Sequence, residues 1–218
     1  NNDGTNSNTA VGDAAGGGIT TGIHNTLLGG AAGDALTNAD YNVAVGVSAL
    51  GADTLGSHSV AIGRRALKAQ NFTSATDTYN VAVGSSAGEL ITTGVQNTII
   101  GGLAGDAMTT GNRNTALGYS ALSSDTLGDR NVAIGNLALQ TQNFTSSTDS
   151  YNTAVGYNAG GVVTTGIQNT LIGGLAGDAI TTASYNTAVG YASLSANTTG
   201  ADNVAIGWAA LGANTTGS

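Results

Sequence analysis

The chain has no cysteine and no proline, one Trp, seven Tyr and two Phe, and charged side chains at only 8% of its positions. Without cysteine there is neither a disulfide framework nor a thiol nucleophile, and the redox compartment stays undecided. Five cations (Arg64, Arg65, Lys68, Arg113 and Arg130) face 13 acidic residues for a net charge of −8, which argues against nucleic acid as a partner. No apolar run approaches the roughly 18 residues of a bilayer span, so no membrane insertion is expected in this segment. The chain opens NNDGTNSNTAVG, with neither Met nor a signal peptide, so any export signal is expected outside it. Glycine is abundant instead, at 35 of 218 residues. An apolar content of 40%, mostly Ala, Val, Ile and Leu, is too high for a disordered chain and predicts a thin core of small pieces.

The order of those residues is repetitive. A five-residue phrase begins at Asn8, Asn25, Asn42, Ser59, Asn80, Asn97, Asn114, Asn131, Asn152, Asn169, Asn186 and Asn203. Its spacing runs 17, 17, 17, 21 and then repeats, giving super-repeats 8–79, 80–151 and a partial 152–218 within one repetitive segment, 1–218. The stretch NFTSATDTYNVAVG at 71–84 returns as NFTSSTDSYNTAVG at 143–156, and belongs to the enlarged fourth unit of each block. With the phrase's first residue as position 0, that position is Asn in eleven of twelve units. Position 1 is Thr or Val, position 2 Ala, Leu or Ile, position 3 Val, Ile or Leu, and position 4 always Gly. Position 7 is Ala except at Ser193, and position 8 is Gly in the first two units of each block and Leu in the last two.

A β-branched and aliphatic run closed by Gly predicts a strand of four or five residues and a turn. Seventeen residues suit one lap of a β-solenoid, with two short strands and two tight bends. The expected fold is therefore all-β, a parallel β-roll or β-solenoid of about twelve 17-residue coils, every fourth enlarged to 21. At about 4.8 Å per coil, twelve coils give a rod of roughly 58 Å. The Gly at position 4 fits a bend of positive φ or close backbone packing, and the Asn column an amide ladder. Because strand residues alternate, positions 1 and 3 share one face and position 2 takes the other. The reading places position 2 outward; since it is apolar in every unit, both faces need cover. Large residues at position 2 (Leu27, Ile99, Leu171) coincide with Gly three residues later (Gly30, Gly102, Gly174), which reads as balanced volume. A second apolar face predicts a homo-oligomeric fibre, and the uncapped repeat ends predict a longer molecule.

The phrases NVAIG at 131–135 and 203–207 and SVAIG at 59–63 resemble the head repeats of YadA-like trimeric autotransporter adhesins. The longer pattern YNTAVGYNAG…TTGIQNTLIGGLAG resembles repeats of marine bacteriophage tail fibres and related virion proteins. The likeness runs from about Asn8 onward, although the adhesin heads usually use shorter repeats than 17 residues. It implies a left-handed roll, a homotrimer, and a place on a virion or cell surface. The expected function is a fibre segment of a phage tail fibre or virion appendage that projects, or attaches to, a host-surface glycan or protein. The head or stalk of a bacterial trimeric adhesin is the alternative.

No catalytic constellation is visible. His24 and His58 are isolated from each other in sequence, no Ser lies in a G-x-S-x-G elbow, and no enzyme, cofactor or metal is expected. Asp34, Asp106 and Asp178 in the GDA triplets occur once per block, too far apart along stacked coils to share an ion. Thr recurs at position 12 in ten units. Such a file would suit an ice-binding solenoid, but a Thr-Thr-Gly corner explains it more plainly. Candidate surface contacts are Asn71, Phe72, Asn143 and Phe144 in the inserts, where each Phe either contacts a partner or plugs a widened coil. Tyr119, Tyr157, Tyr191 and Trp208, all just after the position-4 Gly, form a partial aromatic stripe suited to sugar or surface contact. Gly→Val at Gly118 or Gly135 is expected to disrupt stacking, and Asp125→Asn to be nearly silent.

Overall fold

A computed structural model describes residues 7–217. It is a parallel β-solenoid of about twelve turns, one per phrase, with no helix among the described residues. The chain divides into two compact units, Asn1–Thr110 and Gly111–Ser218. In the first, the phrase forms β1 (Thr9–Val11), β2 (Thr26–Leu28), β3 (Val43–Val45), β5 (Val60–Ile62), β7 (Val81–Val83) and β8 (Thr98–Ile100). The pair β4 (Gly56–Ser57) and β6 (Thr76–Asp77) stands apart from that ladder. In the second unit the ladder is β9 (Thr115–Leu117), β11 (Val132–Ile134), β13 (Thr153–Val155), β14 (Thr170–Ile172), β15 (Thr187–Val189) and β16 (Val204–Ile206), with β10 (Gly128–Asp129) and β12 (Thr148–Asp149) as the separate pair.

Each phrase strand meets the same three positions one turn later. Thr9, Ala10 and Val11 pair with Thr26, Leu27 and Leu28, and Thr153, Ala154 and Val155 with Thr170, Leu171 and Ile172. The enlarged turns keep this register, since Val60–Ile62 pairs with Val81–Val83 and Val132–Ile134 with Thr153–Val155. A one-residue slip would reverse every side chain in a strand, so the four extra residues leave the ladder as a loop.

The strands are three residues long, and a second strand appears only as the two-residue pairs β4–β6 and β10–β12. This corrects the expected lap of two strands. The rest of each turn is bent by residues in the left-handed region; in the turn of Asn42 these are Tyr41 (φ 59°), Ser48 (55°) and Leu50 (52°). Such corners shorten what remains of the lap, so a second extended run is limited to two residues, and only where a turn lies against an enlarged one. The bent segments still bond turn to turn: Gly16 N donates to Ala32 O at 3.0 Å, Gly18 N to Asp34 O at 2.8 Å and Ala31 N to Asp13 O at 2.8 Å. Buried backbone groups are thereby paired without regular strand.

Position 4 needs glycine twice over. Gly29 has φ +135°, and a Cβ built on it would stand 2.7 Å from Gly46 O in the next turn. The Asn column is buried and bonds mainly to backbone. Asn25 N donates to Asn8 Oδ1 at 2.8 Å, while Asn8 Nδ2 donates to Gly22 O at 2.7 Å. The direct amide contact, Asn25 Nδ2 to Asn8 Oδ1, is longer at 3.2 Å. Each Asn therefore ties its own turn closed and joins it to the next.

The facing of the strand is the reverse of the expectation. Position 2 points into the coil: Leu27, Ala44, Ala82, Ala116 and Leu171 are all fully buried. Positions 1 and 3 point outward, with Val11 58% and Leu117 44% exposed. The reason is width. A seventeen-residue lap encloses a narrow interior already holding buried residues at positions 7, 8 and 11, such as Ala49 and Leu50, or Ala32 and Leu36, so the strand contributes Ala wherever position 8 is Leu, and Leu or Ile only in turns where position 8 is Gly. The volume pairing moves accordingly. Gly30 lies outside, where an added Cβ meets nothing within 4 Å. Leu27 instead fills the room left by Gly16 and Gly33, whose added Cβ would meet its Cδ1 and Cδ2 at 2.8 Å.

Candidate functional site

The outer face of each ladder carries three files. Position 1 is Thr or Val, position 3 is always aliphatic, and position 5, just beyond the glycine corner, varies from turn to turn. In the first unit Val11, Leu28 and Ile62 of the aliphatic file are exposed, and in the second Leu117, Ile172 and Ile206. Position 5 of the second unit holds Tyr119, Asn136, Tyr157, Gly174, Tyr191 and Trp208 in order. The four aromatics are 54%, 59%, 54% and 80% exposed, so the stripe read from sequence lies on the surface.

The inserts behave differently. Asn71 and Asn143 are exposed, and their Oδ1 atoms accept hydrogen bonds from Thr54 Oγ1 at 3.1 Å and Thr126 Oγ1 at 2.8 Å. Phe72 and Phe144 are each only 7% exposed. Of the two roles expected for them, surface contact or plug, this burial corrects the contact and agrees with the plug, since an isolated ring on an otherwise polar loop gains most by leaving water.

Beneath each insert lies a polar relay. Gln70 Nε2 donates to Asp53 Oδ2 at 2.6 Å, and Gln70 Oε1 accepts from Asn80 Nδ2 at 2.9 Å. The second copy repeats it, with Gln142 Nε2 to Asp125 Oδ2 at 2.6 Å and Asn152 Nδ2 to Gln142 Oε1 at 2.7 Å. Asp53 and Asp125 also accept from the backbone N–H groups of Gly56 and Gly128. Burial raises the Asp125 carboxyl above its ordinary range, and the bonds from Gln142, Gly128 and Leu127 hold it partly back. Every member already has a partner, so the relay organises the widened turn and presents no free acid or base. Asp106 and Asp178 are likewise raised by burial, and each has an Oδ1 without a hydrogen-bond partner. Among the described residues no three of His, Asp or Glu converge to hold a metal ion.

One surface feature escaped the sequence reading. His24, Tyr41, His58 and Tyr79 stack ring on ring, with centroids 5.1, 5.0 and 5.3 Å apart. All occupy the left-handed corner before the phrase. His58 Nε2 also lies 3.7 Å from Asp77 Oδ1. Aligning the residue before each phrase exposes the His, Tyr, His, Tyr order; counting two histidines in isolation hides it.

The position-12 threonines spend their hydroxyls between turns. Thr92 Oγ1 donates to Thr109 O and Thr164 Oγ1 to Thr181 O, each at 3.1 Å. The file is a corner braced along the stack, as the Thr-Thr-Gly reading expects.

Compared with known proteins, the chain matches no family model, no curated protein and no solved structure.

Proposed function

We propose that this chain is a non-catalytic structural segment of a fibre, a homotrimer that belongs to a bacteriophage tail fibre or related virion appendage on the virion surface. It projects a binding region and contacts a host cell-surface glycan or protein. The observation that supports this most is the outward aliphatic file at position 3. A monomer leaves Leu117, Ile172 and Ile206 open along one strand ladder, with half-buried Ile134, Val155 and Val189 on the strands between them, and an apolar strip of this kind marks an interface. Copies of the same chain offer the same strip at the same register. The low charge of 8% suits a surface meant to be covered.

Sedimentation velocity of the 218-residue chain tests the reading, with a trimer the expected species. A monomer throughout the accessible concentration range refutes it. The head or stalk of a bacterial trimeric adhesin, in an extracellular cell-surface setting, shares the repeat phrase. The flanks of the gene separate the two: a coiled coil with outer-membrane strands marks the adhesin, and a virion-attachment region the tail fibre.

A further inference from the structure

We propose that the column Tyr119, Tyr157, Tyr191 and Trp208 is a stacking platform for an extended β-1,4-linked glycan of uncharged sugars, of the cellulose or chitin type. The inference rests on the attachment part of the function proposed above and leaves the fibre part untouched.

Four of the ten aromatic residues stand at one position of one unit, on a ladder whose strands β9, β11, β13, β14, β15 and β16 are consecutive neighbours. Tyr119, Tyr157 and Tyr191 fall on alternate strands, so in-register stacking sets them about 9.6 Å apart. That interval is commensurate with the disaccharide repeat of an extended β-1,4-linked chain, in which every second sugar presents the same face. Trp208 follows on the next turn after Tyr191. The turns between the tyrosines carry small or polar residues at the same position, Asn136 and Gly174. A methyl on Gly174 would meet Tyr191 Cδ2 at 3.5 Å and Cε2 at 3.7 Å, so the Tyr191 ring lies against the vacant side of that turn. An exposed aromatic with an apolar face and a hydroxyl at its edge can stack on a sugar ring while bonding its hydroxyl groups, and Asn136 adds an exposed amide beside the track.

Charge selects the glycan class. Residues 111–218 hold five Asp against two Arg, Arg113 and Arg130, so polyanionic glycans are repelled and uncharged ones are not. The platform is an open row with no enclosing walls, which suits one side of a polymer better than a small molecule.

Trp208 is the only Trp, so its emission reports on the platform. The intact chain is titrated with cellohexaose and with the hexamer of β-1,4-linked N-acetylglucosamine. A saturable change in Trp208 emission is expected with at least one of them. The matching disaccharide, which spans a single interval, should bind roughly tenfold more weakly, and Tyr157→Ala with Tyr191→Ala should cost a similar factor while sedimentation and circular dichroism stay unchanged. No response to either hexamer at millimolar concentration overturns the proposal, as does an equal response to α-1,4-linked maltohexaose. Trp208 emission that is already shielded and shifts on dilution also overturns it, because a second copy then covers the row. A chain that stays trimeric yet ignores every sugar keeps the fibre reading and loses this one.

Discussion

Asp125 is the residue whose role the structure changes most. Its carboxylate accepts from Gln142 Nε2 at 2.6 Å and Gly128 N at 2.9 Å, with no exposure to solvent. Asp125→Asn turns one acceptor into a donor facing the Gln142 amide, and a flip of Gln142 would forfeit its bond from Asn152. The substitution is therefore expected to cost about 1–3 kcal/mol in urea unfolding, where the sequence alone suggested silence. Asn197 occupies the same position and caps Gly200 N at 3.0 Å without such a Gln, so the penalty belongs to the enlarged turn. The raised carboxyls of Asp106, Asp125 and Asp178 also set a pH dependence. A folded-state value above the unfolded one means the native chain binds protons more tightly. The cost of the buried charge is then fully present above the folded value and is relieved as pH falls towards the unfolded one. The melting temperature should rise between pH 7 and pH 4.5, and Asp178→Asn should flatten that rise. An unchanged slope in the variant would remove Asp178 from the account.

At the scale of one turn, glycine and facing can be tested together. Gly118→Val combines φ +138° with a collision against the Gly135 carbonyl, and should destabilise by about 3 kcal/mol or more. Gly30→Ala points into open space at an ordinary φ and should stay within about 0.5 kcal/mol of the native chain. Leu27→Ala empties a fully buried site and should cost about 2–5 kcal/mol. Urea titration of the three gives a ranking that a strand with position 2 outward would invert for Leu27 and Gly30.

At the scale of the whole molecule, the outward files carry the assembly prediction. Leu117→Asp with Ile172→Asp places charge on a strip that is 44% and 38% exposed in the single chain. The double variant should sediment as a monomer with its β-sheet circular dichroism intact. Equal loss of sheet signal would mean that the file stabilises the coil itself.

The phrase and its 17, 17, 17, 21 spacing determined from sequence alone that the chain is all-β and that one repeat makes one turn, because only identical in-register laps satisfy so regular a backbone. The glycine at position 4 and the recurrence of the Asn column were legible for the same reason, a single stereochemical demand at each, whereas the burial of the Asn column and its bonding mainly to backbone were not. Which face of Ala44 or Ala116 is inside was not legible. Periodicity of two names two faces but not their sides, and the deciding quantity, the width of the coil interior, depends on corners at Tyr41, Ser48 and Leu50 that no propensity for left-handed backbone announces. The thread from Asp125 through Gln142 to Asn152 and the stack from His24 to Tyr79 also waited for the fold. Their members lie ten or more residues apart in the chain and meet only once the turns are laid one on another.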